Sequence, residues 1–343
     1  MSQMRSVRVA DIGRVETVVR PRPAPGPGEA LVRLVFAGIC GSDTHAAAGL
    51  HPLLTPPYYP GHEAVGVVAA LGEGSSGRLA GGQRCILKPN LTCGTCVNCA
   101  AGRTNACQTL RWIGCDSTDA HPGAMAEYFL APEANLFPVP DSVEDQAAAL
   151  VECLATPVHA ARLAGDLAGA RVAVIGAGTI GLFCVIAARL AGAASVVATD
   201  LDPAKRARVE RLGATAVDAG APDALDRVAE SLDGPADVVF DCVASQATAR
   251  AAVQMLRHAG KLMVVGVPAG DFALPMPQVQ DWELTVQGCA NYTARDIEAA
   301  IRIAQDGGIP VEDLVGAVYP LDLAAAAFAE AAQPSSGKVL VRP

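Results

Sequence analysis

The sequence predicts an α/β domain combined with a second, irregular β domain, and three observations carry that prediction. Strand-like runs alternate with Ala-rich helical stretches from about 154 to 289, the order of a doubly wound parallel sheet. The first 150 residues differ: β-rich runs such as Ala30–Phe36 and Ala64–Ala69 sit among Pro and Gly punctuation. At 343 residues the chain also exceeds the size at which one core usually suffices, so two domains are the default. No internal repeat or low-complexity linker interrupts it.

The α/β part opens with a strand at Arg171–Ile175, then Gly176-Ala-Gly178-Thr179-Ile180-Gly181, then a helical run through Leu190. Gly176 permits the tight turn, Gly178 lets backbone approach a pyrophosphate, and Gly181 lets helix pack on strand. Amides exposed at that helix start attract phosphate. The uncharged run Val172–Ala188 is too short and too glycine-interrupted for a membrane span, and this turn explains it. A second strand, Ser195–Thr199, ends in Asp200, 19 residues after Gly181, where a ribose-binding acid belongs. A carboxylate there accepts from ribose hydroxyls and repels a 2′-phosphate, which favours NAD over NADP. The alternative, that Asp200 merely begins a helix, competes with Asp202-Pro203, which already offers an N-cap and first helical residue, with Gly213 as the stop. Lys205, one turn into that helix, is a further ribose candidate. Strands follow at Ala236–Asp241, Lys261–Gly266 and Leu284–Gly288; Val265 and Gly266 join the candidate cofactor-binding set.

Cys93, Cys96, Cys99 and Cys107 are spaced x2, x2, x7, so that their thiols can converge on one tetrahedral zinc. Buried or disulfide-paired cysteines are the competing reading. A four-thiolate site has no open position for substrate, so it staples a loop instead of doing chemistry. The other seven cysteines are scattered, and the opening Met-Ser-Gln-Met-Arg-Ser-Val-Arg is not followed by an apolar signal core. Reduced thiols in a cytoplasmic protein are expected. Hydrophobic content of 51% with 4% aromatic residues points to a core of Ala, Val and Leu. The net charge of -9 argues against nucleic acid or an anionic membrane as partner.

The chemistry is expected in the β domain, in Gly38-Ile-Cys40-Gly-Ser42-Asp43-Thr-His45 and Pro60-Gly61-His62-Glu63. Cys40, His62 and Glu63 offer a thiolate, an imidazole and a carboxylate, each a competent zinc ligand. Singly, each also reads as a buried small residue, a satisfied histidine or a solvated charge. Their joint occurrence with a zinc loop and a nucleotide turn favours the metal.

At these residues the chain resembles the zinc-dependent medium-chain dehydrogenases over nearly its whole length. The order matches: Cys-Gly-Ser-Asp, Gly-His-Glu, the four-cysteine loop, the glycine turn, and the closing Ser336-Gly-Lys-Val-Leu-Val-Arg-Pro. It looks closest to the sorbitol, threonine and sugar-acid branch, on Leu150-Val-Glu152-Cys153-Leu-Ala-Thr-Pro-Val-His159 and on His51-Pro-Leu-Leu-Thr-Pro-Pro-Tyr-Tyr-Pro-Gly-His62. The resemblance implies a GroES-like catalytic domain over 1–153 with a structural zinc loop at 93–107, an inserted Rossmann domain over 154–289, and a return to the catalytic domain over 290–343. It implies two zincs per chain and NAD. Cys40 and His62 would hold the catalytic zinc, with Glu63 and Glu152 at the remaining positions. A Cys40, His62, Cys153 site is the alternative, since Cys153 replaces the branch's usual proline. Asp43 would hydrogen-bond His62 and fix its tautomer.

The activity implied is alcohol oxidation or its reverse, with zinc as Lewis acid, Ser42 taking the hydroxyl proton and His45 passing it to solvent, and Glu63 counted among the catalytic groups. The small apolar stretch Ala46–Leu50, and Ala290 and Asn291 where sorbitol-type members carry an arginine, depart from a simple sorbitol pattern. The expected substrate is a secondary alcohol within a polyol, cyclitol, sugar acid or hydroxy amino acid. Small aliphatic or aromatic alcohols are the alternative, and a non-catalytic dehydrogenase fold a lesser one. A homodimer or homotetramer is expected, pairing through edge strands near Met263–Gly266 and Leu284–Gly288.

Overall fold

The computed structural model describes residues 2–52 and 54–343, so Leu53, within the segment His51 to His62, lies outside the described residues. The chain divides into two compact units, Met1–Glu152 with Thr293–Pro343, and Cys153–Tyr292. No helix of the described residues is long and apolar enough to cross a membrane.

The first unit opens with a hairpin, β1 (Gln3–Asp11) and β2 (Arg14–Pro21). Its main sheet is built on β3 (Glu29–Gly38), which leads directly into helix α1 (Gly41–Ala47), and on β4 (Glu63–Leu71) and β5 (Arg84–Leu87). A small separate ribbon, β6 (Asn90–Leu91) with β7 (Arg111–Trp112), flanks the cysteine loop, whose one-turn helix is α2 (Val97–Ala100). β8 (Tyr128–Pro132) pairs with the first half of β3, and β9 (Leu136–Pro138) pairs with β5. α3 (Asp145–Ala149) follows, and α4 (Val151–Ala164) begins in this unit and continues into the second from Cys153. The core beneath this sheet gathers Val32, Leu34, Tyr58, Phe129 and Leu136, all essentially inaccessible to solvent. The β-branched and aliphatic runs noted in the sequence thus supply the buried faces of β3 and β4.

The second unit is a six-stranded parallel sheet of β10 (Arg171–Ile175), β11 (Ser195–Asp200), β12 (Thr215–Asp218), β13 (Ala236–Asp241), β14 (Leu256–Val264) and β15 (Thr285–Gly288). Strand order is β12-β11-β10-β13-β14-β15, so the winding reverses between β10 and β13. Beyond the carboxyl ends of those two strands lies the crevice in which sheets of this kind bind ligands. α5 (Thr179–Leu190) follows β10, and α6 (Pro203–Arg211) follows β11. Asp202 caps α6 by accepting from the Ala204 amide at 2.8 Å, with Pro203 first in the helix.

Two sequence expectations are corrected here. The strand expected to reach Gly266 stops at Val264, because the amides of Val265 and Gly266 both turn back to the Asp241 carbonyl at 2.9 Å instead of extending the ladder. Of the two segments expected at a sheet edge, only β15 is one; β14 lies between β13 and β15. After the helix Ala294–Gln305 the chain adds β16 (Val315–Pro320) and β17 (Lys338–Arg342) to the first unit's sheet, with Leu340 of β17 opposite Gly38 of β3.

Candidate metal centres and nucleotide site

The sulfurs of Cys93, Cys96, Cys99 and Cys107 all lie within 4.8 Å of one another. Cys93 is 4.0 Å from Cys99 and 3.6 Å from Cys107, close to the roughly 3.8 Å edge of a tetrahedron of sulfurs about 2.3 Å from a zinc. Such separations are far beyond a disulfide bond, and all eleven cysteines are free. The loop orients its own sulfurs: the Cys96 amide donates to Cys93 Sγ and the Cys93 amide to Cys107 Sγ, each at 3.3 Å. Backbone amides of Thr95 and Cys96 pull the Cys93 thiol down to about 5, which favours the thiolate a metal requires. Asn98 at the start of the loop's helical turn clamps the far side, donating to the Ala106 carbonyl at 2.7 Å. The donor set fits a structural zinc.

A second group is assembled from distant segments. Cys40, between β3 and α1, caps the helix start, and Asp43 accepts from the Cys40 amide at 3.0 Å, which holds the turn. His62 and Glu63 arrive at the beginning of β4. Ligand atoms of Cys40, His62 and Glu63 lie within 4.8 Å of one another, with both the histidine and the glutamate buried. Glu152, in the first turn of α4, brings its carboxylate within 4.8 Å of that of Glu63. Cys153 is buried as well and begins the second unit. Gly38 stands opposite Glu63 in the sheet, where a Cβ would fall 2.1 Å from Glu63 Oε2, so the carboxylate occupies space that only glycine leaves. Both Glu63 oxygens accept from Lys338 Nζ of β17, at 2.8 and 2.7 Å, and this ion pair is buried. Thiolate, imidazole and carboxylate donors in a buried, charge-compensated group fit a catalytic zinc.

The expected Asp43–His62 hydrogen bond is not formed. Nδ1 and Oδ1 stand 3.7 Å apart, and Asp43 Oδ1 is buried with no hydrogen-bond partner. Cys115 is closer, its sulfur 3.5 Å from His62 Nδ1, and Asp43, His62 and Cys115 form a further group of potential ligands. Burial disfavours the charged His62 ring, yet Cys115 and Asp43 outweigh it and raise the ring's pKa well above the ordinary value. Burial in turn pushes the Asp43 carboxyl up. Trp112 of β7 packs edge-on to the His62 ring at 5.8 Å. Cys115 escaped the sequence reading because a single cysteine in an Ile-Gly-Cys run carries no spacing signal. Ser42 and His45 sit three apart on α1, on one side of the helix, Ser42 half-buried and His45 exposed. His51 is a neighbour the sequence reading did not single out; burial, then His45 and His62, lower its pKa.

In the second unit the glycine turn joins β10 to α5 at the switch point. Gly176 has φ of 88°, and a Cβ there would strike Val243 at 2.6 Å. A Cβ on Gly181 would lie 1.8 Å from the Gly176 carbonyl, whereas one on Gly178 would point into open space, the opening that a pyrophosphate needs. Thr179 and Ile180 form the first turn of α5. Asp200 closes β11, and its carboxylate accepts from the Ala177 amide of the glycine turn at 2.8 Å and from the Asp202 amide at 2.9 Å. Each oxygen keeps a lone pair for a ribose hydroxyl. Lys205 is half-buried on α6. Its neighbour Arg206, absent from the sequence reading, donates to the Asp200 and Leu201 carbonyls at 2.9 and 2.8 Å and pairs with Asp218 at 3.2 Å.

Known proteins match this arrangement along the chain. Residues 26–141 match the alcohol dehydrogenase GroES-like domain and residues 179–306 the zinc-binding dehydrogenase domain. The chain is 35% identical over 303 residues to L-galactonate-5-dehydrogenase of Escherichia coli K12, covering 88% of this chain and 87% of that protein. It is 30% identical to sorbitol dehydrogenase of Bacillus subtilis 168, covering 96% and 94%. A zinc-binding dehydrogenase of Sinorhizobium meliloti 1021, solved bound to NADP, superposes with a TM-score of 0.93 at 33% identity and full coverage of both chains. The chain belongs to the zinc-dependent medium-chain dehydrogenases, in the branch that acts on sugars and polyols.

Proposed function

We propose that this protein uses NAD to oxidise a secondary alcohol within a polyol, cyclitol, sugar acid or hydroxy amino acid, or reduces the matching ketone. The observation that carries the reading is the buried convergence of Cys40, His62 and Glu63, with Glu152 alongside, in a chain that also builds the glycine turn. The relatives named for L-galactonate and sorbitol favour polyhydroxylated substrates. In this reading residues 1–153 and 290–343 carry the chemistry and 154–289 hold NAD.

Cys40, His62, Glu63 and Glu152 would hold the catalytic zinc, with Cys153 as the alternative to a carboxylate. A zinc bound there supplies a Lewis acid that makes an alcohol hydroxyl more acidic near neutral pH. Lys338 neutralises Glu63 and keeps the pair from repelling a substrate anion. Ser42 takes the hydroxyl proton and His45 carries it to solvent. Cys93, Cys96, Cys99 and Cys107 would hold a second, structural zinc. Gly176, Gly178, Thr179, Ile180 and Gly181 would cradle the pyrophosphate, Asp200 and Lys205 the adenosine ribose, and Val265 and Gly266 would line the nicotinamide end. Free cysteines throughout fit a reducing cytoplasm, and the open edge of β15 suits pairing of two nucleotide domains into a homodimer or homotetramer.

A second cofactor reading rests on Arg206, whose guanidinium lies beside Asp200 and would attract a 2′-phosphate. The test is NADH or NADPH formation by zinc-loaded protein across polyols, cyclitols, sugar acids, hydroxy amino acids and simple alcohols. Reduction of NAD by one polyhydroxylated class is the expected result. Activity confined to simple alcohols, or no activity with two zincs bound, would overturn it. His45→Ala should depress turnover most at low pH and leave zinc content unchanged; an unaltered pH profile would remove His45 from proton transfer.

A further inference from the structure

Lys88 and Asn90 are buried polar residues that neither metal centre uses. Lys88 is 6% exposed, and among the described residues the one hydrogen bond of its ammonium is a 3.4 Å contact to the Asn90 carbonyl, long for such a donor. Asn90 is 1% exposed, and neither Oδ1 nor Nδ2 has a hydrogen-bond partner. A native amide left with both ends unsatisfied calls for an explanation, because each buried polar atom without a partner is costly.

Their placement supplies one. Asn90 of β6 stands directly opposite Trp112 of β7, so the two side chains share a face of the ribbon, and the Trp112 ring sits edge-on to the ring of His62. Lys88, two residues before Asn90, is buried like it and reaches the Asn90 carbonyl with its ammonium. Glu152 is near enough to favour the Lys88 ammonium. Burial nonetheless brings that amine down to about 8. A buried cation and an unsatisfied amide therefore lie beside the candidate zinc ligands.

We propose that Lys88 and Asn90 form a substrate subsite that selects polyhydroxylated carboxylates over the corresponding neutral polyols. The inference rests on the function proposed above and narrows it to sugar acids. Lys88 would pair with the substrate carboxylate, which Glu152, engaged with the metal in that reading, does not neutralise. Asn90 would donate to and accept from a hydroxyl along the same carbon chain, satisfying both ends of its amide.

The test uses matched pairs of equal chain length, gluconate with glucitol and galactonate with galactitol. Binding to the zinc-loaded protein is measured by calorimetry with NADH present, so that no turnover occurs, and NADH formation is followed separately with NAD. Wild type should bind the hexonates roughly tenfold to a hundredfold more tightly than the hexitols, the strength of one charge-assisted hydrogen bond. Lys88→Met should abolish that preference while barely altering hexitol binding, and Lys88→Arg should keep it. Asn90→Leu, similar in size, should weaken both members of a pair by about tenfold at unchanged zinc content. Equal binding of acid and polyol by wild type, or equal weakening of both by Lys88→Met, would overturn the proposal; so would unaltered binding in Asn90→Leu. Oxidation of hexitols without a preference for acids would refute the subsite and leave the proposed function standing. Lys88-dependent hexonate binding without oxidation of either would do the reverse.

Discussion

The two candidate zinc centres gather their ligands by opposite routes. The four-cysteine loop draws all its ligands from residues 93–107, leaves Cys93 exposed, and orients its sulfurs with its own backbone amides. The Cys40, His62, Glu63 group, with Glu152 alongside, draws on the turn after β3, the start of β4 and the first turn of α4, and borrows its counter-charge from β17. A local site can be completed by a short loop and needs little else. An assembled site depends on the tertiary fold, and in exchange its polarity, charge and access are set by residues that never touch the metal.

Three substitutions probe that contrast, from the largest effect to the smallest. Cys96→Ser should cost the loop its metal and several kcal/mol of stability, since binding energy at such a site is folding energy. Metal analysis should then read one zinc per chain in place of two, and unfolding should begin at lower temperature. Two zincs retained would refute the four-thiolate assignment. Lys338→Met, which strands the Glu63 charge in the interior, should destabilise by about 3–5 kcal/mol. Combining it with Glu63→Gln should recover much of that loss in a double-mutant cycle, and strictly additive losses would show the pair to be uncoupled. The smallest effect is expected for Cys115→Ala, at about 1 kcal/mol or less, because it removes one weak thiol partner of His62. Zinc should dissociate faster from the catalytic centre alone; an unchanged rate would mean that Asp43 suffices to orient the ring.

What could be read from the sequence follows the same division. The cysteine loop and the glycine turn were visible because their residues are consecutive and their spacing is itself geometry. Cys40, His62 and Glu63 were visible only in combination, alongside the cysteine loop and the glycine turn. Lys338, 275 residues from Glu63 in the chain, was invisible as its partner, because a lysine in Ser-Gly-Lys-Val reads as a surface charge until β17 is laid beside β3. Lys88 and Asn90 were overlooked for a related reason: polar residues are assumed to face water, and nothing local indicates their burial. The resemblance pairs Asp43 with His62, but Asp43 stands 3.7 Å from the ring nitrogen, and Cys115, which carries no spacing signal, is the nearer partner at 3.5 Å.

The bond between Glu63 and Lys338 also bears on the order of events during synthesis. Glu63 leaves the ribosome long before Lys338, and the whole second unit is made in between. For that interval the carboxylate has no cation from β17, and β3, which delivers Cys40, has no β17 to pair with at Gly38. The cysteine loop, whose ligands emerge within fifteen residues of one another, can capture its metal while the chain is still growing. With zinc at both candidate centres, the nascent chain would complete them in sequence, the cysteine loop during translation and the Cys40, His62, Glu63 group only after β17 has docked.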